Sequence, residues 1–299
     1  MRRPLMLVVN PVAGRSLAKD GVGNILETLY SGGYLPTVYF TEAAGQAREL
    51  VSRNAEKYER VVCLGGDGTF SDVMGGMMLL PKEKRVPIGY IPMGTTNDMA
   101  STLGLPKNAQ KAALIAAGDK IIDYDVGSFV DGGYFSYVAA FGAFTDVSYE
   151  TSQESKNILG HMAYIFEGMS RLPKLTNYLT HVEYDGGEID ADLCFGSVSN
   201  TRSVAGVVKL DERLVELSDG MFEIILVKNP KNVQDLNNIA ASILARSYNN
   251  DCVAVLQSSR VRFTFKEPVK WTRDGEAGGV FSDVILENKP GAVRIVIGE

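Results

Sequence analysis

The first 125 residues alternate short runs of apolar, often β-branched residues with longer stretches of helical periodicity. This alternation predicts a parallel β-sheet with helices on both faces, because parallel strands need a long crossover and a helix is the usual one. We therefore predict that residues 1–125 form an α/β domain with an open, mostly parallel sheet. Its strands are expected at residues 5–10, 37–40, 60–64 and 86–91, and its helices near 17–30, 46–58, 70–80, from 97, and 109–117.

The pattern changes after about Asp125. Strand-like runs predominate from there on, and the sequences Asp131-Gly132-Gly133 and Asp185-Gly186-Gly187 are typical of hairpin turns. The runs lie at residues 134–141, 179–184, 191–199, 221–227 and 261–265, and helical stretches lie near 158–169 and 233–245. We predict a second, largely antiparallel domain over residues 126–299, and whether its extreme C-terminus packs back on the first domain is left open.

Composition and charge narrow the class of protein. The 299 residues are 45% hydrophobic and carry a formal net charge of -6, which argues against a nucleic-acid partner bound over the whole surface. The cysteines Cys63, Cys194 and Cys252 lack metal-site spacing, as expected of free thiols in a reducing compartment. No apolar run approaches the roughly 18 residues of a membrane span. We expect a cytoplasmic protein without a transmembrane segment, either soluble or peripherally bound to a membrane.

Three glycine-containing loops follow predicted strands of the first domain, at the sheet edge where ligands bind in open α/β folds. The first loop reads Asn10-Pro11-Val12-Ala13-Gly14-Arg15. It offers a side-chain amide, a glycine that permits close backbone approach and a permanent positive charge. These groups suit a phosphate, although an Asn-Pro turn after a strand is by itself a common turn.

The second loop, Gly65-Gly66-Asp67-Gly68-Thr69, leads into a predicted helix. Its glycines leave backbone N–H groups open to an anion at a helix N-terminus, where the helix dipole favours negative charge. Asp67 would repel a phosphate unless it contacts Mg²⁺, directly or through water, or a hydroxyl proton. The structural alternative is that Asp67 caps the helix. Neither GxxxxGK[ST] nor GxGxxG occurs, so this is a different phosphate-binding device.

The third loop, Pro92-Met93-Gly94-Thr95-Thr96-Asn97-Asp98, also joins a strand to a helix. Thr95, Thr96 and Asn97 supply neutral hydrogen-bonding groups, and Asp98 supplies a second carboxylate at the same edge. Helix capping explains any one of these loops but does not easily explain three of them at one sheet edge. Together they predict a shared phosphate site.

The three loops resemble the catalytic pattern of the diacylglycerol kinase family of bacterial lipid kinases, which reads NPxxG, then GGDGTxxE, then GTxNDxA ending in LGxP. Leu103-Gly104-Leu105-Pro106 closes the pattern here, and Ser218-Asp219-Gly220-Met221 and Asp274-Gly275-Glu276 match further positions. The resemblance therefore extends over nearly the whole chain. Three departures are Ser71-Asp72, where Asn-Glu is frequent, Arg15, where some relatives have Lys, and Glu216, where relatives often have Leu.

The resemblance implies ATP bound between a nucleotide domain and a β-sandwich that helps to form a lipid site. It implies that Asp67 and Asp98 lie near the transferred phosphate and that Glu276 accepts the proton of the lipid hydroxyl. It also implies a structural Mg²⁺ on the backbone oxygens of Glu216 and Met221 and the carboxylate of Asp219. The implied ATP contacts are Asn10, Pro11, Val12, Ala13, Gly14, Arg15, Thr41, Gly66, Asp67, Gly68, Thr69, Phe70, Ser71, Asp72 and Thr95.

The function implied is an ATP- and Mg²⁺-dependent lipid kinase that acts at a membrane surface, with diacylglycerol as the leading acceptor. The alternatives are a related kinase, above all one acting on NAD, and a catalytically silent lipid-binding regulator. The Gly94 to Asp98 loop favours the lipid kinase, and the presence of Asp67, Asp98 and Glu276 together argues against a silent regulator. The sequence leaves open the acceptor lipid and the oligomeric state, a homodimer included.

Overall fold

The structure, a computed structural model, describes residues 1–13, 21–143, 145, 175–201, 203–204, 208–209, 215–245, 248 and 250–298. Gly14, Arg15 and the helix expected near residues 158–169 lie outside these residues. The chain divides into two compact units. The first comprises Met1–Val126 with Lys289–Glu299, and the second comprises Gly127–Asn288. In the described part of the chain, no helix is both long enough and apolar enough to cross a membrane.

The first unit contains a parallel β-sheet. Its strands are β1 (Arg3–Val9), β2 (Tyr34–Phe40), β3 (Arg60–Gly65) and β4 (Ile88–Pro92), and they lie in the order β4-β3-β1-β2. The strands β1, β3 and β4 are almost continuously buried, as expected of strands covered on both faces. The sheet therefore presents the ends of β1, β3 and β4 side by side.

In the part of this unit that the structure describes, five α-helices accompany these strands, namely α1 (Gly21–Ser31), α2 (Gln46–Asn54), α3 (Asp67–Met78), α4 (Asp98–Thr102) and α5 (Ala109–Ala116). A short 3₁₀ helix, Ala55–Lys57, continues α2. The helices α1 and α5 pack on the apolar side chains of β1 and β3. Burial of this apolar stripe supplies most of the stabilisation of such helices. Each element lies within a few residues of its predicted position.

The C-terminal residues add to the first unit. Strand β5 (Ile121–Ser128) pairs with the long strand β15 (Glu276–Val296), whose Ile295 pairs in parallel with Ile88 of β4. The Arg85 guanidinium donates to the carbonyl of Ala292 at 2.8 Å, and the Gly291 N–H donates to the Asp125 carboxylate at 2.7 Å. The last part of β15 is thus integral to this unit.

The second unit is mostly strand in its described residues. Its further elements are β6 (Tyr134–Phe135), β7 (Val138–Gly142), β8 (Tyr178–Tyr184), β9 (Gly187–Ser199), β10 (Ser203–Val204), β11 (Val208–Lys209), β12 (Phe222–Lys228), α6 (Val233–Ala245), β13 (Val253–Ser258) and β14 (Arg260–Arg273). The largest sheet portion runs β13-β12-β9-β7-β14-β15, and β8 pairs with both β9 and β14. These pairings are antiparallel, so the expected antiparallel character is confirmed. The helix α6 has the bounds predicted for it.

An aromatic cluster forms the centre of this unit. The Trp271 ring lies 4.9 Å from that of Phe141 and 5.4 Å from that of Phe263, measured between centroids. Aromatic pairs at such separations contribute about 0.5–1.5 kcal/mol beyond the area they bury. Trp271 and Phe263 both belong to β14, so this strand is anchored close to the hairpin turn that follows it.

A carboxyl group is buried in the middle of the second unit. Glu223 of β12 is 1% exposed and pairs with Ser199 and Gln257 on the neighbouring strands. Burial raises the pKa of Glu223 to about 8. Ionising this group inside the folded unit is therefore unfavourable at neutral pH.

We expect the second unit to lose stability as pH rises from about 4.5 to 8, because the unfolded chain releases the Glu223 proton first. The loss should be on the order of 4 kcal/mol, and Glu223→Gln should remove most of it. Urea unfolding at several pH values, followed by the fluorescence of Trp271, the single tryptophan, measures this. The surface variant Glu49→Gln should keep the wild-type slope, and an unchanged slope in Glu223→Gln would contradict the assignment.

Candidate functional site

The three glycine-containing loops meet at one edge of the parallel sheet. In the register of the strands, Leu64 pairs with both Val9 and Ile91. The Asn10 N–H donates to the carbonyl of Leu64 at 3.0 Å, and the Met93 N–H donates to that of Gly65 at 2.7 Å. The loops after β1, β3 and β4 are therefore neighbours, as expected for the carboxyl ends of adjacent parallel strands.

Asn10 connects the first loop to the second. Its side-chain Nδ2 donates to Thr69 Oγ1 at 3.0 Å, and its Oδ1 accepts from the Val12 N–H at 3.1 Å. Thr69 is buried, whereas Pro11 and Val12 are exposed. Thr41, which directly follows β2, is also buried and its N–H donates to the Val9 carbonyl at 2.9 Å. Asn10 thus links the loop after β1 to the loop after β3 through Thr69, and it also holds Val12 in its own loop.

The second and third loops touch through glycines. A Cβ atom on Gly94 would lie 2.9 Å from the Gly66 Cα and 2.8 Å from Asn97 Oδ1. A Cβ on Gly65 would lie 2.7 Å from the Thr69 side chain. A side chain at Gly94 would force the second and third loops apart, and one at Gly65 would clash with Thr69 within the second loop, so packing alone requires glycine at both positions. Helix α3 begins next to this contact, and its N-cap residue Gly66 provides no side-chain cap.

The Asp67 carboxylate joins the second loop to the third. Its Oδ2 accepts from the Asp98 N–H at 3.0 Å, and its Oδ1 accepts from the Met99 N–H at 3.3 Å. These are the first two N–H groups of α4, so Asp67 caps α4. The Tyr90 hydroxyl also donates to Asp67 Oδ1 at 3.4 Å. Asp67 is half-buried, and its hydrogen bonds fix the start of α4 beside the second loop.

Tyr90 was not identified from the sequence as part of this edge, because it lies inside a strand with no loop signal. It is 1% exposed, and its ring lies 4.6 Å from that of Phe70. Burial, and after it the nearby Asp67 carboxylate, raises the pKa of Tyr90, so its hydroxyl remains a hydrogen-bond donor.

The third loop closes on itself. Asn97 has a left-handed backbone, with φ of 55°, and its side chain accepts from the Gly94 N–H at 2.9 Å and donates to the Gly94 carbonyl at 2.7 Å. Asn tolerates this conformation better than most residues. Asn97 and Asp98 are buried, whereas Thr95 and Thr96 are exposed. Of the predicted residues in this loop, the two threonines are the ones presented to solvent.

Asp72 ties α3 to the segment after Thr41. Its Oδ2 accepts from the Gly45 N–H at 2.9 Å, and Arg48 lies 4.0 Å from its Oδ1. Burial raises the pKa of Asp72, while the Gly45 N–H and Arg48 oppose that effect. Gly45 and Arg48 carry no motif, so sequence reasoning did not include them.

The predicted residues Ala13, Gly68 and Ser71 also belong to the first unit, whereas Glu216, Asp219, Met221 and Glu276 belong to the second. Glu276 is exposed and begins β15 directly after the turn Asp274-Gly275. Asp219 Oδ1 accepts from the Met221 N–H at 2.9 Å, and the Met221 carbonyl accepts from Asn288 Nδ2 at 2.9 Å. Within the described residues, no three His, Cys, Asp or Glu side chains cluster in a way that could hold a metal ion.

Carboxylate and carbonyl oxygens are nevertheless the donor types that Mg²⁺ prefers, and Mg²⁺ usually keeps several water ligands. Asp219, Met221 and the exposed Glu216 carry oxygen atoms of these types. Asp67 and Asp98 fit it at the edge of the first unit. The roles of all these residues toward a metal stay predictions.

Sequence comparisons identify the family. The sequence model described as "Diacylglycerol kinase catalytic domain" matches residues 4–129. A diacylglycerol kinase of Bacillus subtilis (strain 168) is 30% identical over 280 residues, which cover 92% of this chain and 90% of that protein. One of Staphylococcus carnosus (strain TM300) is 34% identical over 284 residues, covering 93% and 90%. The chain therefore belongs to the diacylglycerol kinase family.

A solved structure shares the fold. A crystal structure of a diacylglycerol kinase from Bacillus anthracis str. Sterne superposes with a TM-score of 0.77 and covers 99% of this chain and 97% of its own. The two sequences are 19% identical. At that identity the likeness concerns the fold.

Proposed function

We propose that the protein is a lipid kinase that transfers the γ-phosphate of ATP to a hydroxyl group of a membrane lipid. The acceptor proposed is diacylglycerol, and the product is phosphatidic acid. The observation that carries this proposal is the meeting of three glycine-containing loops at one sheet edge, in a chain that belongs to the diacylglycerol kinase family. The names of the relatives support the choice of acceptor.

The first unit is proposed to be the nucleotide-binding domain. Phosphoryl transfer requires mainly positioning and the stabilisation of developing charge. The Gly66 N-cap and the start of α3 offer backbone N–H groups and a favourable dipole to phosphate oxygens. The exposed Thr95 offers a hydroxyl at the same edge. Asp67 and Asp98 would hold Mg²⁺, which when bound neutralises phosphate charge.

On the acceptor side, Glu276 is proposed to remove the proton of the lipid hydroxyl. An alcohol barely ionises at neutral pH, so a carboxylate positioned at its proton acts as general base. The exposed location of Glu276 at the start of β15 supports access to a substrate. The β-sandwich that the family resemblance implies for the lipid-binding part is proposed for the second unit. Asp219, Met221 and Glu216 would hold the structural Mg²⁺ there.

Labelled ATP and a panel of acceptors test the proposal. The purified protein is incubated with [γ-³²P]ATP, Mg²⁺ and, in separate reactions, diacylglycerol, phosphatidylglycerol, a sphingoid base, undecaprenol or NAD. We expect label in phosphatidic acid. Label on NAD alone would favour the related NAD kinase, and ATP binding without transfer to any acceptor would favour a silent regulator.

We also expect activity to require both a divalent metal and a lipid surface, since the substrate is apolar and partitions into membranes. The rate with diacylglycerol in mixed micelles should exceed several-fold the rate with monomeric short-chain diacylglycerol at equal concentration. Chelation of the metal should abolish both. Equal rates on micelles and on monomers would remove the case for docking on a surface.

A further inference from the structure

The turn that precedes Glu276 has an unusual backbone. Asp274 and Gly275 connect β14 to β15, and both have positive φ, 50° and 82°. Two such residues define a type I′ turn, the tight hairpin turn whose twist matches that of the flanking strands. Gly adopts this conformation freely and Asp tolerates it. Glu276 is the first residue after the turn, so its direction depends on how firmly the turn is held.

The Asp274 carboxylate is held by a distant segment. Its Oδ2 accepts from the N–H and the hydroxyl of Ser136, both at 2.7 Å. Its Oδ1 accepts from the N–H groups of Tyr137 at 3.0 Å and Val138 at 3.2 Å. The Asp274 N–H in turn donates to the Val138 carbonyl at 2.8 Å. Asp274 is 5% exposed, so these bonds compensate the burial of a polar group.

A turn of this type does not need such an anchor. The hydrogen bonds that close a two-residue hairpin come from its own strands, and an Asp in a local turn bonds backbone groups about two residues away. Asp274 and Ser136 are 138 residues apart in sequence. The contacts thus fix the hairpin tip to the residues that lead into β7, whose Phe141 belongs to the aromatic core.

A second set of contacts restrains the same tip. Arg273, which pairs with Glu276 in the strand register, donates from Nη1 and Nη2 to the two carboxylate oxygens of Asp131 at 2.9 and 3.0 Å. The register shifts one pair further along, between Trp271 and Thr272, and a Cβ on Gly278 would lie 3.0 Å from the Trp271 carbonyl oxygen. Such a β-bulge redirects the side chains near it. Tertiary contacts therefore restrain the turn before Glu276 and the residue paired with it, and a β-bulge follows in the same hairpin.

We propose that Asp274 is a positioning residue for Glu276. By clamping the hairpin tip to residues 136–138, it fixes the direction in which the Glu276 carboxylate meets the acceptor hydroxyl. This inference rests on the proposed role of Glu276 as proton acceptor. A base that is free to move by about 1 Å loses much of its effectiveness, since such a misplacement costs on the order of 10²-fold in rate.

The substitution Asp274→Asn tests the clamp. Asn keeps the size of the side chain and one acceptor oxygen. Its NH₂ group, however, cannot accept hydrogen bonds from the N–H groups that now donate to the second carboxylate oxygen. We expect kcat to fall on the order of 10²-fold with KM for ATP unchanged. Asp185→Asn is the matched control, because Asp185 also precedes a glycine in a hairpin turn and accepts from the N–H and hydroxyl of Ser259, at 2.6 and 2.8 Å. Its kcat should equal that of the wild type.

A double-mutant cycle separates positioning from a general structural role. If Asp274 acts through Glu276, adding Asp274→Asn to Glu276→Gln should lower kcat no further. Equal fold losses in both backgrounds, or wild-type kcat in Asp274→Asn, would overturn the proposal. Should Asp274→Asn fail to fold, Ser136→Ala removes a single donor, and the same lack of additivity is expected with a several-fold loss.

Amide hydrogen exchange tests the clamp without activity. In Asp274→Asn the amides of Glu276 and Ala277 should exchange at least tenfold faster than in the wild type, while those of Gly187 and Glu188 stay unchanged. Unchanged exchange at Glu276 would overturn the clamp. Failure of the proposed function looks different, because the wild type would then transfer no phosphate to any acceptor.

Discussion

Replacing Glu276 by Gln is expected to lower kcat on the order of 10²–10⁴-fold, with KM for ATP little changed. Gln keeps the size and the hydrogen-bonding reach of Glu but has no basic oxygen. Because Glu276 is exposed at the start of β15, the substitution buries no unpaired group and should leave the fold intact. Binding should therefore survive while turnover falls.

Initial rates with diacylglycerol in mixed micelles, over a range of ATP concentrations, measure this effect. Glu188→Gln is a matched control, since Glu188 is also an exposed glutamate close behind a two-residue hairpin turn, with 76% of its side chain exposed. It should turn over like the wild type. If Glu276→Gln is nearly as active as the wild type while Asp98→Asn is inactive, the role of proton acceptor passes to Asp98.

Local signals were sufficient for most elements of the fold. Apolar runs and glycine loops predicted β1, β3 and β4, since these strands are specified by short stretches of sequence. The length of β14 was underestimated, because Lys266, Glu267 and Pro268 interrupt its apolar pattern, and there the register shifts between Thr264 and Val269. A register shift of this kind lets a strand continue its pairing through residues whose sequence predicts the end of the strand.

The pairing of strands that lie far apart in the chain could not be predicted from the sequence. Strand β15 contains Gly278, Gly279 and Pro290, which in a single sequence indicate turns, yet the strand runs through all three. Its pairing with β4 joins Ile295 to Ile88, residues with no local relation. The hydrophobic pattern within each segment does not indicate which distant strand it pairs with.

The candidate site also has features that the sequence predicted and contacts that it did not. The three loops were located from local patterns, and the parallel sheet explains why they meet. The partners of the carboxylates were not predictable, because they are backbone N–H groups, which every residue except proline carries. Asp67 bonds the start of α4, and Asp274 bonds residues 136–138. A motif therefore identified these acidic residues but not what each of them holds.

Asp67→Ala is expected to abolish phosphoryl transfer while the protein remains folded. The side chain is half-buried at the sheet edge and outside the apolar core, so its removal should cost little global stability. Loss of a cap typically costs about 1 kcal/mol. Loss of charge stabilisation at a phosphate and its metal costs several kcal/mol, equivalent to a rate loss of 10²-fold or more.

Asp67→Asn separates these two contributions. Asn retains one oxygen that can accept from the Asp98 or Met99 N–H, but it carries no charge. If Asp67 acts on the metal and the phosphates, the Asn variant should be nearly as inactive as the Ala variant. If Asp67 only caps α4, the Asn variant should retain a large part of the wild-type rate.

Single-turnover rates and thermal unfolding of both variants, beside Asp119→Asn as a surface control, provide the measurement. Asp119 pairs with Arg3 and is 76% exposed, so its substitution should alter neither quantity appreciably. Turnover above about a tenth of the wild-type value in Asp67→Ala would contradict the metal-linked role, because a factor of ten corresponds to only about 1.4 kcal/mol. That is the scale of a lost helix cap, and Asp67 would then be a structural residue that holds the third loop in place.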